Sequence, residues 1–341
     1  MSTTEPIAVR ADPPAVLELP PAHLELTWRP LQLRDEPALH ELLLEVQLAD
    51  SSHTRCSIPE VHELLAGADL QRDSLGGFDG AGTLRAYALV DVPPGGVRVL
   101  QAHLDGAVHP RWRGRGIGRA TLAWMEGRGR QKLASSGQDL PARLAVRVEP
   151  DARDQRRLYA AAGFSPIRWY CELRRDLRLP LPAAPVPEGL ALVPWRAELD
   201  ERVRLAHNEA ATDCWGCEPA SAESWSEHGA HFAPQWSQVA LDDSGAAPEV
   251  VGYLMSGRYE QDWEALGYSF GRTDVLGVRR SWRGRGLGTA LLATAMDSYR
   301  AAGMDYACLQ VDTARPTDAL PLYERLGFET GDGIVVYSVE I

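Results

Sequence analysis

Residues 112–118 read Trp-Arg-Gly-Arg-Gly-Ile-Gly, and residues 282–288 read Trp-Arg-Gly-Arg-Gly-Leu-Gly. Glycine lets a backbone approach a ligand closely and take positive φ. Arginine adds formal positive charge. The first turn of a helix offers amide groups without intrahelical partners, and its dipole adds to the positive field. Together these suit a pyrophosphate. The spacing lacks the Gly-Lys-Ser/Thr of a P-loop and differs from the Gly-x-Gly-x-x-Gly dinucleotide fingerprint. The expected phosphate contacts are Arg113, Gly114, Arg115, Gly116, Ile117, Gly118 and Arg119, and again Arg283, Gly284, Arg285, Gly286, Leu287, Gly288 and Thr289.

The elements that must position each cradle are a strand before it and a helix after it. Ala107-Val108 precedes the first copy and Val275-Leu276-Gly277-Val278 the second. After the second, Leu287, Ala290, Leu291, Thr294 and Ala295 recur with helical spacing. Asp274 lies two residues after Arg272 in the upstream strand, so the period-2 rule gives them one face. Leu158-Tyr159…Gly163-Phe164 matches Leu322-Tyr323…Gly327-Phe328. The first half carries six more residues than the second between the two motifs, expected around Ser135 to Gln138.

Two copies of both motifs resemble the GNAT acetyltransferase superfamily. Its Arg/Gln-x-x-Gly-x-Gly/Ala pattern is met by Arg113, Gly116 and Gly118 and by Arg283, Gly286 and Gly288, and its Leu-Tyr-x-x-x-Gly-Phe pattern is met twice. The arrangement is similar to the tandem actinobacterial transferases. The resemblance implies an α/β fold in which a mixed, twisted central sheet with flanking helices splays two parallel strands around the cosubstrate. It implies acetyl-CoA as donor, no metal, and direct attack by a primary amine in a ternary complex. Val108, Leu276 and Val278 are then expected to pair with the pantetheine amides as an added strand would.

In the family a tyrosine at the second motif points at the thioester sulfur, which makes Tyr323 the first candidate for general acid and Tyr159 its match. A phenol is protonated at neutral pH and can donate to a thiolate. Many members carry a glutamate in the upstream strand, where this chain, counted back from the turn, has Arg272 and Ala102. Asp274 is therefore the expected base, directly or through a water, with His103 the nearest candidate in the first half. Glu260, Asp262 and Glu264, read as a loop, are candidates to bind a cationic acceptor. Each carboxylate has a plainer reading as a solvated surface group, and each tyrosine as a core residue.

The 341 residues suit two domains. We expect a disordered tail over 1–22, a first domain over 23–179, a proline-rich linker over 180–188 and a second domain over 189–341. The net charge is −12. Through Pro182 there are 23 basic and 23 acidic residues, and after it 12 and 24. That acidic field disfavours nucleic acid and favours a cationic small-molecule amine, although it serves solubility equally well. No apolar run reaches membrane length, and five cysteines form no secreted disulfide pattern, so a cytoplasmic protein is expected, as monomer or homodimer. The lone Cys214-Trp-Gly-Cys217 has neither the partners of a zinc site nor the context of a redox pair. A single lysine beside 34 arginines points to a GC-rich bacterial genome. Two other classes fit the motifs: a non-catalytic acyl-CoA sensor, and a protein or peptide N-acetyltransferase.

Overall fold

The computed structural model describes residues 5–93, 95–210, 212, 219–226, 228–245, 247–313 and 319–341. Cys214 and Cys217 lie outside the described residues. The chain forms two compact units, one of residues 1–167 with 334–341, the other of residues 168–333.

In the first unit the elements run α1 (Ile7–Arg10), β1 (Thr27–Arg29), α2 (Glu36–Ala49), α3 (Ile58–Ala66), α4 (Leu70–Asp73), β2 (Ser74–Phe78), β3 (Leu84–Asp91), β4 (Leu100–Val108), α5 (Ile117–Ala134), β5 (Ala142–Val148) and α6 (Arg153–Ala161). β1 to β4 pair antiparallel in order, and β4 and β5 pair parallel. The far edge is completed by the end of the chain, where Val335–Glu340 pairs antiparallel with β5. Alternation places Leu100, Ala102 and Leu104 against α5 residues Leu122, Met125 and Leu133 in one core. The opposite face is covered by α2 and α3 through Leu39, Leu42, Val61 and Leu65.

Residues 5–22 are not a free tail. Ile7 and Ala11 are buried in that same core, and Leu17 packs at its margin. Arg10 donates to the carbonyls of Leu140 and Ile341, and the Ile7 amide donates to Asp139. The segment is rich in proline, but it carries enough spaced apolar residues to dock. Asp35 precedes α2, but its carboxylate does not cap that helix. It accepts from Gln32 N–H and from Arg29 at 2.6 and 2.7 Å.

The second unit begins with the main part of β6 (Ser165–Asp176) and continues through β7 (Leu190–Pro194), α7 (Asp200–Ala210), α8 (Ala222–Ser226), β8 (Gln238–Asp242), β9 (Glu249–Gly257), α9 (Glu260–Leu266), β10 (Phe270–Val278), α10 (Leu287–Ala301), β11 (Tyr306–Asp312) and α11 (Ala319–Arg325) to β12 (Glu329–Glu340). β7 to β10 pair antiparallel in order, β10 and β11 parallel, and β11 antiparallel with β6. Thus β6, expected to close the first half, pairs from Tyr170 to Asp176 with β11. Leu287, Leu291, Ala295 and Tyr299 form the buried stripe of α10. Truncating Leu291, which is fully buried, to alanine would cost about 2–5 kcal/mol.

The six extra residues of the first half are shared. α5 has 18 residues against 15 in α10, and the loop that follows spans 135–141 against 302–305.

Candidate active site

In each unit two parallel strands part company midway. β4 pairs with β5 only from Leu100 to His103, and β10 with β11 only from Phe270 to Thr273. Beyond those points both pairs run on without ladder bonds to each other, which leaves backbone groups of β4 and β10 open on that side. At the end of each strand sits the cradle. Gly114 and Gly116 take φ of 77° and 92°, and Gly284 and Gly286 take 73° and 83°. Gly116 and Gly286 are the N-caps of α5 and α10. Neither helix has a side-chain cap or an acidic residue in its first turn. The amides are left for an anion, which the helix dipole favours.

The arginines repeat the same brace. Arg113 Nε donates to the Val108 carbonyl and Arg283 Nε to the Val278 carbonyl, both at 3.1 Å. Arg115 and Arg285 lie over the rings of Trp112 and Trp282 at 4.5 and 4.6 Å. At the outer end Arg113 grips the Asp50 carboxylate with both terminal nitrogens, and Arg283 donates to the Ala210 carbonyl at 3.2 Å.

The largest difference lies upstream. In the first unit β3 and β4 pair without interruption, Asp91 with His103, Val90 with Leu104, Leu89 with Asp105. In the second, Gly257 pairs with Arg272, Ser256 with Thr273 and Met255 with Val275. Asp274 is a bulge with no counterpart in the first unit. The register also changes the equivalence drawn by counting: Arg272 corresponds to His103 rather than Ala102.

Asp274 collects several groups. Tyr259 donates its hydroxyl to Oδ1 at 3.1 Å, and Arg272 Nε lies 3.3 Å from the same oxygen. A Cβ on Gly257 would stand 2.4 Å from Oδ2, so only glycine leaves the carboxylate this place. His231 packs at a tilt on Tyr259, ring centres 4.6 Å apart, and meets Gln261 at 3.1 Å. Arg272 also lies 3.6 Å from Glu172 of β6. Burial pushes the Asp274 carboxyl up to about 6, against the lowering effect of Arg272, Tyr259 and His231. Its side chain keeps 28% of its surface open, so water reaches it from one side. Burial pulls the Arg272 pKa down, but Glu172 and then Asp274 outweigh it, and the guanidinium is held charged.

Tyr323 lies on α11, partly buried against the second unit's core and edge-on to Phe328 at 6.0 Å. Burial raises its hydroxyl above the usual phenol range. Tyr159 is 8% exposed and packs on Phe164 at 5.8 Å. Burial, and secondarily Asp105, pushes it up to about 12. Asp105 is itself raised by burial and is bonded by the Tyr87 hydroxyl.

The three acceptor candidates belong to helix α9, not to a loop. Asp262 is buried at 4% exposure, Glu260 pairs with Arg258 at 2.6 Å, and Glu264 is exposed. Tyr259, His231 and Glu172 are not among the residues the motifs point to. Glycine-rich turns and paired tyrosines left a repeat to find, whereas these three have no second copy. Among the described residues no cluster of His, Cys, Asp and Glu could hold a metal, and no helix is long and apolar enough to cross a membrane.

The acetyltransferase (GNAT) family model matches residues 201–328. A mycothiol acetyltransferase of Salinispora tropica is 32% identical over 76% of this chain and 78% of its own length. One from Thermobispora bispora is 32% identical over 78% and 80%. Among solved structures, a GCN5-related N-acetyltransferase from Sphaerobacter thermophilus has a TM-score of 0.70 at 28% identity, covering 95% of this chain and 97% of that one. A tandem GNAT protein from the clavulanic acid biosynthesis pathway shares the fold, with a TM-score of 0.65 at 22% identity over 93% and 98%. The chain belongs to the GNAT family in its tandem form, a family of acetyl-CoA-dependent N-acetyltransferases, and is an enzyme of that class.

Proposed function

We propose that the second unit moves an acetyl group from acetyl-CoA to the primary amine of a small molecule, by direct attack within a ternary complex. The observation that carries this reading is the bulge at Asp274. It adds one carboxylate where β10 leaves β11; the first unit has no bulge there, and its nearby carboxylate, Asp105, is bonded by Tyr87. With its pKa near 6, Asp274 is ionised at neutral pH yet basic enough to take a proton from the attacking ammonium, directly or through a water. The amine nitrogen then bonds the acetyl carbon as the carbon–sulfur bond breaks; Tyr323 gives its proton to the departing thiolate, the second proton lost by the acylated nitrogen restores the phenol, and Asp274 releases the first proton to water. Burial of Tyr323 keeps that proton in place.

The cradle of Arg283, Gly284, Arg285, Gly286, Leu287, Gly288 and Thr289 would hold the pyrophosphate, and the open side of β10 at Leu276 and Val278 the pantetheine amides. The name of the curated relatives supports a small-molecule acceptor. The exposed carboxylates of Glu260 and Glu264 are placed to attract a cationic group, while Asp262 serves the fold of α9.

For the first unit a second reading is favoured. Its cradle of Arg113, Gly114, Arg115, Gly116, Ile117, Gly118 and Arg119 and its open strand end at Val108 are intact, but it lacks the bulged carboxylate. We read it as a second acyl-CoA holder that does not turn over.

Thiol release from acetyl-CoA against a broad amine panel tests the proposal. It expects release that depends on one class of amine and an acetylated product by mass. Binding of acetyl-CoA with no thiol release from any amine would instead make the whole chain a sensor.

A further inference from the structure

Arg272 is loosely held. Its Nε is 3.3 Å from Asp274 and its Nη1 is 3.6 Å from Glu172. Other arginines in the chain grip harder: Arg29 reaches Asp35 at 2.6 and 2.7 Å, and Arg178 reaches Asp176 at 2.6 Å. A guanidinium has five donors in a planar fork that matches a carboxylate. Here the fork lies 5.5 Å from the Tyr259 ring centre, and its side chain keeps 21% of its surface open. It is thus charged and part-open beside Asp274, and its ion-pair contacts to Glu172 and Asp274 are both long.

A reachable carboxylate and a reachable guanidinium on one strand face, 3.3 Å apart, are the complement of a zwitterion. The short separation limits which zwitterion. An ammonium delivering its proton to Asp274 can place a carboxylate on Arg272 when the two charges sit close together, as on the same or adjacent carbons. We propose that the acceptor is an α- or β-amino acid, whose carboxylate is clamped by Arg272 while its amine is deprotonated by Asp274. Glu172 holds the other flank of the guanidinium and competes with that carboxylate. This rests on the reading of Asp274 as base. It also refines the expectation of a cationic acceptor: the acidic excess of the second half lies elsewhere, and around Asp274 the charges of Arg272 and Glu172 balance.

The test is kcat/KM of the full chain with acetyl-CoA, measured for the twenty amino acids and β-alanine and for their carboxamides. Wild type should favour at least one amino acid over its carboxamide by about tenfold or more, the scale of one charge-assisted contact. Arg272→Met should bring that ratio to near one. Arg272→Lys, which keeps the charge and loses the fork, should leave it in between and serves if the methionine variant fails to fold. Glu172→Gln should lower KM for the amino acid at least twofold and leave KM for the carboxamide unchanged. Turnover of other amines with no turnover of any amino acid overturns the proposal, as does a carboxylate preference that survives Arg272→Met. Asp274→Asn separates the two claims. It should depress amino acid and carboxamide alike, and if it depresses neither, the base assignment fails on its own.

Discussion

Tyr259 donates its hydroxyl to Asp274 across 3.1 Å, and Asp274 is a residue of β10 that no residue of β9 opposes. Bulges gather beside active sites because the extra residue re-aims a side chain without disturbing the ladder on either side. Here the flanking pairs Thr273–Ser256 and Val275–Met255 stay in place. The carboxylate is thus set by the sheet, while Tyr259 and Gly257 set its orientation.

Gly257→Ala should disable the site with little effect on the rest of the fold. The new Cβ would stand 2.4 Å from Asp274 Oδ2 and 2.4 Å from a Tyr259 ring carbon. Both must move, and a displacement of about 1 Å in a positioned group can lower a rate by about 100-fold. We expect kcat/KM at least tenfold down in the thiol-release assay. An unchanged rate would remove the need for this placement of Asp274.

The two tyrosines should separate the units. Tyr323→Phe should lower turnover about tenfold or more, the usual scale of a lost general acid. Tyr159→Phe should change it by less than about twofold. Equal losses from both would show that the first unit also reacts.

Calorimetry with acetyl-CoA should find two sites on one chain. Arg283→Ala should weaken one by about tenfold and Arg113→Ala the other, as expected for loss of a charge-assisted phosphate contact. A single binding event would overturn the role given to the first unit.

Much of this was open to reading in the chain itself. The glycine turns, the helices behind them and the two tyrosines repeat, and repetition exposes pattern. α10 runs from Leu287 to Ala301 and contains the whole apolar spacing of Leu287 to Ala295. What does not repeat stayed hidden. Asp274 is one inserted residue, and counting back from the turn slides over an insertion, which set Arg272 opposite Ala102 instead of His103. The pairing of β6 with β11 and of the chain's last strand with β5 is non-local, and no local spacing encodes it. Glu172 reaches Arg272 only through that pairing.

Asp274→Asn should stabilise the protein at neutral pH. The folded carboxyl is raised from its ordinary 3.8 to about 6. A raised carboxyl contributes stability below about pH 4 that is lost as pH rises through about 6, because the fold disfavours the charged form. The neutral amide avoids that loss. After allowance for the open side of the group, the gain is about 1 kcal/mol above pH 6, shrinking to nothing near pH 4. Thermal melting of both proteins across that range checks it. A variant less stable than wild type at pH 7.5 would contradict the stated cause of the shift.

The most direct measurement is the pH dependence of kcat/KM for wild type and for Asp274→Asn. Wild type should rise with unit slope and level off near pH 6 as Asp274 ionises. The variant should fall by at least about 100-fold and lose that inflection. A variant that keeps the wild-type rate and the same inflection near 6 would show that some other group takes the proton.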